Sequence, residues 1–188
     1  MTNNKTIILI PPSEGKKEGG TQLPLKLISP VTEKLHQELI KFKPQEKLLG
    51  VKGKKLSESI QINKTITESK TLPAIKRYTG VVYDAIDFSS LAPQEKVRFN
   101  GHVRIVSALF GLVKPNQLIP NYKLKIDKLK AAKNWLPHIS ESLKGSFVID
   151  LLPQAHKKAV LYEEGIAIEF IINKNGKKVA AGHNGKVI

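Results

Sequence analysis

The stretch from Gly101 to Ile126, GHVRIVSALFGLVKPNQLIPNYKLKI, decides how the rest of the chain is read. Val103, Ile105, Val106, Ala108, Leu109 and Phe110 form a short apolar run, interrupted by Arg104 and Ser107. Its length and β-branched residues suit a central strand buried on both faces. Gly111 ends the run, and Pro115, Asn116, Pro120, Asn121 and Tyr122 follow. Two prolines and two asparagines so close together force the chain to turn. A buried strand that delivers polar groups into such a loop is a common way to build a site. The plainer reading is a core strand with a tight exit.

Upstream, Pro93 to Gly101 reads as a helix feeding this strand, with Val97 and Phe99 partly buried. Downstream, a lysine-rich segment leads into a helix over Ala131–Leu143, capped by Gly145, with Pro137 in its first turn or kinking it. Ser146 to Leu152 is another strand, followed by Pro153-Gln154-Ala155-His156. Asp150 and His156 could meet at the sheet's end for acid–base work, but a capping Asp and a surface His are the favoured explanation. Ile166–Ile172 and Lys177–Ala181 read as strands joined across Asn173-Lys174-Asn175-Gly176, a strong hairpin signal. Thr6 to Ile10 is the first strand. These elements predict an α/β (α+β) fold, one domain over 1–188 with a mixed central sheet and surrounding helices.

Composition narrows the function. With 31 Lys and Arg against 16 Asp and Glu, the net charge is +15. Such an excess attracts polyanions, nucleic acid first and anionic membrane second. Lysine supplies most of it, which favours phosphate attraction over base-edge reading by bidentate arginine. The alternative is a lysine-rich surface that serves solubility. There are no cysteines, hence no disulfide, thiolate nucleophile or Cys-based zinc site. No window approaches the roughly 18 apolar residues needed to span a bilayer. A cytoplasmic protein with no membrane partner is expected. The histidines, at 36, 102, 138, 156 and 183, lack metal-ligand spacing, so neither a dedicated metal site nor a cofactor is expected.

After the first strand comes PPSEGKKEGG, Pro11 to Gly20. Glycines, Ser13 and Lys16 there suggest an anion-cradling loop, although the Walker A spacing is absent. A flexible surface loop explains the same residues. Ser13, Lys16, Arg104, Ser107, Tyr122 and Asp150 sit at strand ends or adjoining loops. They are the candidate catalytic or small-molecule-binding residues.

Pro30 begins a helix to about Phe42, with His36 at its rim. The following stretch, PQEKLLGVKGKKLSESI from Pro44 to Ile60, carries the sharpest mechanistic signal. A short helix should stop at Gly50, Val51 should anchor the turn, and a second helix should start near Lys54 with Leu56 and Ile60 toward the core. The pattern resembles the h-x-G-h-x-G turn of helix–hairpin–helix DNA-binding elements. That resemblance implies phosphate binding by Gly50, Lys52, Gly53, Lys54 and Lys55 without sequence reading. A glycine-capped helical hairpin with solvated lysines is the alternative.

Further on, Pro73 to Tyr78 starts a helix with Lys76-Arg77 exposed, and Val82, Tyr83 and Ile86 form a packed helical turn. Tyr78 and Tyr83 could each bury a ring and aim a hydroxyl at a site, or serve simply as core residues.

Four segments together resemble the YaaA family of bacterial peroxide stress proteins. They are ILIPPSEGK with Gly19-Gly20; Tyr78-Thr79-Gly80-Val81-Val82-Tyr83; Leu109–Pro115 with Pro120–Leu124; and Asn134-Trp135 with Val148–Leu151. The resemblance implies an α/β fold with a helix–hairpin–helix element and a basic cleft. It also implies DNA, duplex or distorted, as partner, and protection from oxidative damage linked to free iron. Two features depart from the family pattern. Lys125 stands where an acidic residue is usual, and the chain stops where relatives continue with a basic helix and tail. A short form or a missing C-terminal segment is therefore expected. The competing expectation is an enzyme acting on a phosphorylated or nucleotide-like substrate at the Ser13–Lys16 and Tyr122 loops.

Overall fold

The computed structural model describes residues 5–21 and 29–169, together with the backbone of 171–174 and 177–180. Its centre is a five-stranded mixed sheet. β1 (Lys5–Ile10) lies in the middle, between β3 (Val103–Ser107) and β6 (Ser146–Asp150), both parallel to it. β7 (Glu164–Ala167) extends the sheet parallel to β6, and β4 (Gly111–Val113) closes the other edge antiparallel to β3. A mixed sheet flanked by helices is the architecture the sequence predicts.

All five residues of β3 are buried, as the apolar run requires. The strand nevertheless ends at Ser107, not Phe110. Residues 108–110 turn, and Gly111 starts the returning strand instead of closing the sheet. Gly111 has φ +66°, and a Cβ there would lie 2.5 Å from Trp135 Cε3. Only glycine combines that backbone with that approach. The indole caps the turn, its Nε1 donating to the Ala108 carbonyl at 3.0 Å.

Helices α1 (Pro30–Lys41), α2 (Gln45–Leu49) and α3 (Gly53–Lys64) form a layer that buries Leu35, Leu39, Leu48 and Leu49. β2 (Leu72–Pro73) and β5 (Leu118–Ile119) make a small antiparallel pair, with α4 (Ala74–Arg77) and α5 (Val81–Ile86) next in sequence to β2. α6 (Pro93–His102) runs into β3, and α7 (Ala131–Leu143) carries Trp135 into the core. α7 contains Pro137 in its interior. α8 (Gln154–Lys157) follows β6. β8 (Ile171–Lys174) and β9 (Lys177–Ala180) form a separate antiparallel hairpin. The predicted strand 166–172 is therefore two strands in two sheets. The Asn175-Gly176 turn and the tail from residue 181 lie outside the described residues.

Several positions differ from the sequence expectation. His36 is buried, its Nε2 2.8 Å from the Asn63 carbonyl. Val97 is 72% exposed, and no residue of α6 is fully buried. Val82 is exposed as well, and Tyr83 alone of that turn is buried. Arg77, expected at the surface, is completely buried.

Candidate functional site

The loop after β1 is pinned against α4 and the residue that follows it. Lys17 N–H donates to the Arg77 carbonyl at 2.8 Å, and Thr79 N–H to the Gly15 carbonyl at 3.1 Å. Lys16 and Tyr78 thereby pair as an isolated antiparallel bridge. Arg77 secures the arrangement from inside, its guanidinium donating to the carbonyls of Lys17, Lys70 and Ile119. Three backbone carbonyls satisfy this buried cation, and burial holds its pKa below the ordinary arginine value.

Polar side chains from four distant segments meet above this clamp. Tyr122 is 1% exposed. Its hydroxyl lies 2.9 Å from the Tyr78 hydroxyl and 2.8 Å from Ser107 Oγ. Ser107 Oγ also accepts the Phe110 N–H at 3.0 Å, so the turn after β3 fixes it. The Phe110 ring meets Tyr122 edge-on at 5.4 Å. Tyr83 stacks obliquely on Tyr78 and donates its hydroxyl to the Pro11 carbonyl at 2.9 Å. Burial raises the pKa of Tyr78, Tyr83 and Tyr122 alike. All three are phenols at neutral pH, proton donors and not phenolates.

Lys16 reaches over this cluster. Its Nζ lies 4.4 Å from the centre of the Tyr122 ring and 5.3 Å from that of Tyr78. It donates to the Ser13 carbonyl at 2.8 Å. The Glu14 carboxylate is taken up by Lys125 at 2.8 Å. Burial, with the Lys123 charge next in size and Arg77 adding a little, lowers the Lys16 amine from 10.5 to about 7, against a weaker upward pull from Glu14. Asn63 fixes the Lys123 backbone by two hydrogen bonds: its side chain donates to the Lys123 carbonyl at 2.9 Å and accepts the Lys123 N–H at 2.8 Å.

Of the sequence candidates, Ser13, Lys16, Ser107 and Tyr122 converge here. The loop does not form an open amide cradle, since the N–H groups of Gly15 and Lys17 bond to Ser13 Oγ and the Arg77 carbonyl. Arg104 and Asp150 lie elsewhere. Strand residues alternate between faces, and the register aligns Arg104, Leu9 and Asp150 in one row on the face opposite Ser107. Arg104 donates to the carbonyls of Val103 and Asn100. Asp150 accepts the Leu152 N–H at 2.8 Å and meets the Tyr162 hydroxyl at 3.5 Å. Tyr78 and Arg77 belong to the site without being among the residues the sequence singles out as catalytic or binding. The signal for the tyrosine is its amphipathic ring in the YTGVVY segment. The arginine carried no local signal.

A second feature lies at the α2–α3 turn. Gly50 ends α2 with φ +67°, its N–H donating to the Glu46 carbonyl at 2.8 Å. Val51 packs against the core, as do Leu56 and Ile60. Lys52 is the N-cap of α3, and no side chain caps that end. Gly53 has φ +55°, with nothing within 4 Å of where a Cβ would stand. Lys52, Gly53, Lys54 and Lys55 are all exposed, with Lys52 3.1 Å from Glu46. The two-helix turn predicted from sequence is present.

Among the described residues, no three metal-ligating side chains cluster, and no helix is long and apolar enough to cross a membrane.

Comparison with known proteins agrees with the motif reading. Residues 6–187 match the family described as peroxide stress protein YaaA. A UPF0246 protein of Corynebacterium glutamicum is 30% identical over 200 residues, covering 95% of this chain and 80% of that protein. One from Streptomyces coelicolor is 31% identical over 175 residues, covering 81% and 66%. An uncharacterized Campylobacter jejuni protein is 28% identical over 153 residues, covering 72% and 61%. With the family match spanning nearly its whole length, this chain belongs to the peroxide stress protein YaaA family.

Proposed function

We propose that this peroxide stress protein binds DNA through backbone phosphates, without reading sequence, at the α2–α3 turn and the basic surface around it. The observation that carries this reading is the uncapped start of α3, flanked by three exposed lysines and open space at Gly53. The first N–H groups of a helix lack partners within the helix and lie at its positive end, where an oxyanion is favoured. The net charge of +15 supplies the long-range attraction. In this reading, bound protein shields DNA from damage linked to free iron and acts in the cytoplasm.

The test is binding to labelled duplex and bubbled DNA across a salt series, wild type beside the Lys52/Lys54/Lys55→Glu variant. Each phosphate contact contributes about −0.9 to the log–log salt slope on B-DNA. The variant should flatten that slope by roughly two to three units, equally for all sequences. An unchanged slope, or a loss confined to certain sequences, would refute the assignment.

A second reading, a site for a phosphorylated or nucleotide-like small molecule, is favoured by the convergence of Lys16, Ser107, Tyr78 and Tyr122. Because the loop amides are occupied, an anion there would meet side-chain cations, Lys123 foremost.

A further inference from the structure

Among the described lysines, Lys16 alone holds its amine against two tyrosine rings. The Nζ is seated over two tyrosine rings and anchored to one backbone carbonyl. The acid beside it in sequence, Glu14, is paired with Lys125. Below it, three hydroxyls form a chain, Tyr78 to Tyr122 to Ser107, at 2.9 and 2.8 Å. Residues 123 and 125, following Tyr122, are lysines, and Asn63 fixes the backbone of the first. An amine seated on two phenol rings, with the Glu14 carboxylate drawn off by Lys125 and a second cation beside it, has what condensation with a carbonyl needs. It offers a lone pair to attack carbon, a proton for the departing oxygen and a charge to hold an anionic substituent.

We propose that the Lys16 amine is a nucleophile that condenses with the carbonyl carbon of an aldehyde or ketone bearing a phosphate group. The C–N bond forms as the carbonyl π bond opens onto oxygen. That oxygen then leaves as water with the two protons of the amine, relayed through the tyrosine hydroxyls, which give one proton to oxygen and take one back from nitrogen, and a neutral imine remains. No net proton, oxidant or reductant is required. The depressed basicity of the amine, to about 7, keeps about half of it unprotonated at neutral pH, against under 1% for an ordinary lysine. This inference rests on the small-molecule reading of the loop, gives it a reaction, and is independent of the hairpin.

A phosphate-flanked aldehyde has two sources, an open-chain sugar phosphate and the sugar left in DNA by base loss. The experiment therefore has two arms. The full chain is incubated with glyceraldehyde 3-phosphate, or with a duplex holding one abasic site. Cyanoborohydride then traps imines across a pH series, and peptide mapping locates the adducts. In at least one arm, Lys16 should be modified roughly tenfold or more faster than any exposed lysine at pH 7. Its rate should fall below about pH 7, while exposed lysines keep rising to about pH 10. Lys16→Arg, which keeps the charge, should abolish the selective adduct. Tyr122→Phe, which keeps the ring, should slow it while circular dichroism stays unchanged. If Lys16 reacts no faster than exposed lysines in both arms, the proposal is overturned. Calorimetry with glycerol 3-phosphate, which has no carbonyl, separates the two levels. Binding without adduct overturns the imine and leaves the small-molecule site standing, whereas neither binding nor adduct removes both.

Discussion

The burial of Lys16 makes a prediction about stability that needs no ligand. The folded chain holds its amine at about 7 instead of 10.5, so above about pH 7 the unfolded chain binds this proton more strongly. Stability therefore rises with pH between about 7 and 10.5 and carries the full penalty below that window. At about 1.4 kcal/mol per pH unit, the ceiling on the penalty is about 5 kcal/mol. Lys16→Met keeps the length and removes the titration. It also loses the bond to the Ser13 carbonyl, about 1 kcal/mol. At pH 7 the variant should be the more stable protein, by at most about 3 kcal/mol. The sharper quantity is the change in that difference. Between about pH 7 and pH 9, wild type should gain about 2 kcal/mol relative to the variant. Urea unfolding of both proteins in parallel measures it, because every other titrating group cancels in the comparison. A difference constant to about 0.5 kcal/mol over that range would mean that Lys16 is charged and well solvated in the folded state.

Other perturbations follow from the geometry. Gly111→Ala combines a left-handed φ with a contact 2.5 Å from Trp135 and should cost about 2–4 kcal/mol. Gly145→Ala, at φ +65° in open space, should cost only about 1 kcal/mol; equal losses in thermal unfolding would remove the indole from the explanation. Arg77→Met strands the buried Ile119 carbonyl and the partly buried carbonyls of Lys17 and Lys70 and should cost about 2–3 kcal/mol; Arg77→Lys should not restore the loss, since an ammonium lacks the planar fork. His156 is held at about 4 by burial, so the unfolded chain binds its proton more strongly between about 4 and 6.5. Stability should drop by up to about 3 kcal/mol as pH falls through that window, and His156→Gln should flatten that part of the acid-unfolding curve.

What could be read in advance was whatever is decided locally. α1 and α7, β1 and the two-helix turn were legible because caps, periodicity and breakers act within a few residues of one another. Gly50 is left-handed at the end of α2, where a glycine after an apolar turn of helix belongs. Ser107 could be singled out because it interrupts a buried run. Arg104 interrupts the same run, but strand alternation sends it to the other face, and that depends on where the strand ends. The decisive contacts of the site are non-local. The Tyr78 and Tyr122 hydroxyls come from positions 44 residues apart, and Arg77 reaches carbonyls 42 and 60 residues away. An arginine at the end of a short helix reads as solvated because its acceptors are backbone atoms, which carry no residue identity. The burial of His36 is hidden for the same reason, its partner being the Asn63 carbonyl. The strand order was equally hidden: the β3 run looks central, yet the first strand in sequence holds the middle.

That placement of β1 governs how the chain is made. Ile8 pairs with Val103 and Lys5 with Ser146, so β1 has no partner from this sheet until β3 emerges and is not enclosed until β6 does. At typical translation rates it waits roughly ten to thirty seconds. Until β3 emerges Ile7, Leu9 and Ile10, destined for the core, belong to a nascent segment with both edges open, and one edge stays open until β6 follows. Short apolar strands with open edges are the segments most prone to capture by other chains. The capture risk of the nascent chain therefore grows with how long this six-residue strand remains unpaired.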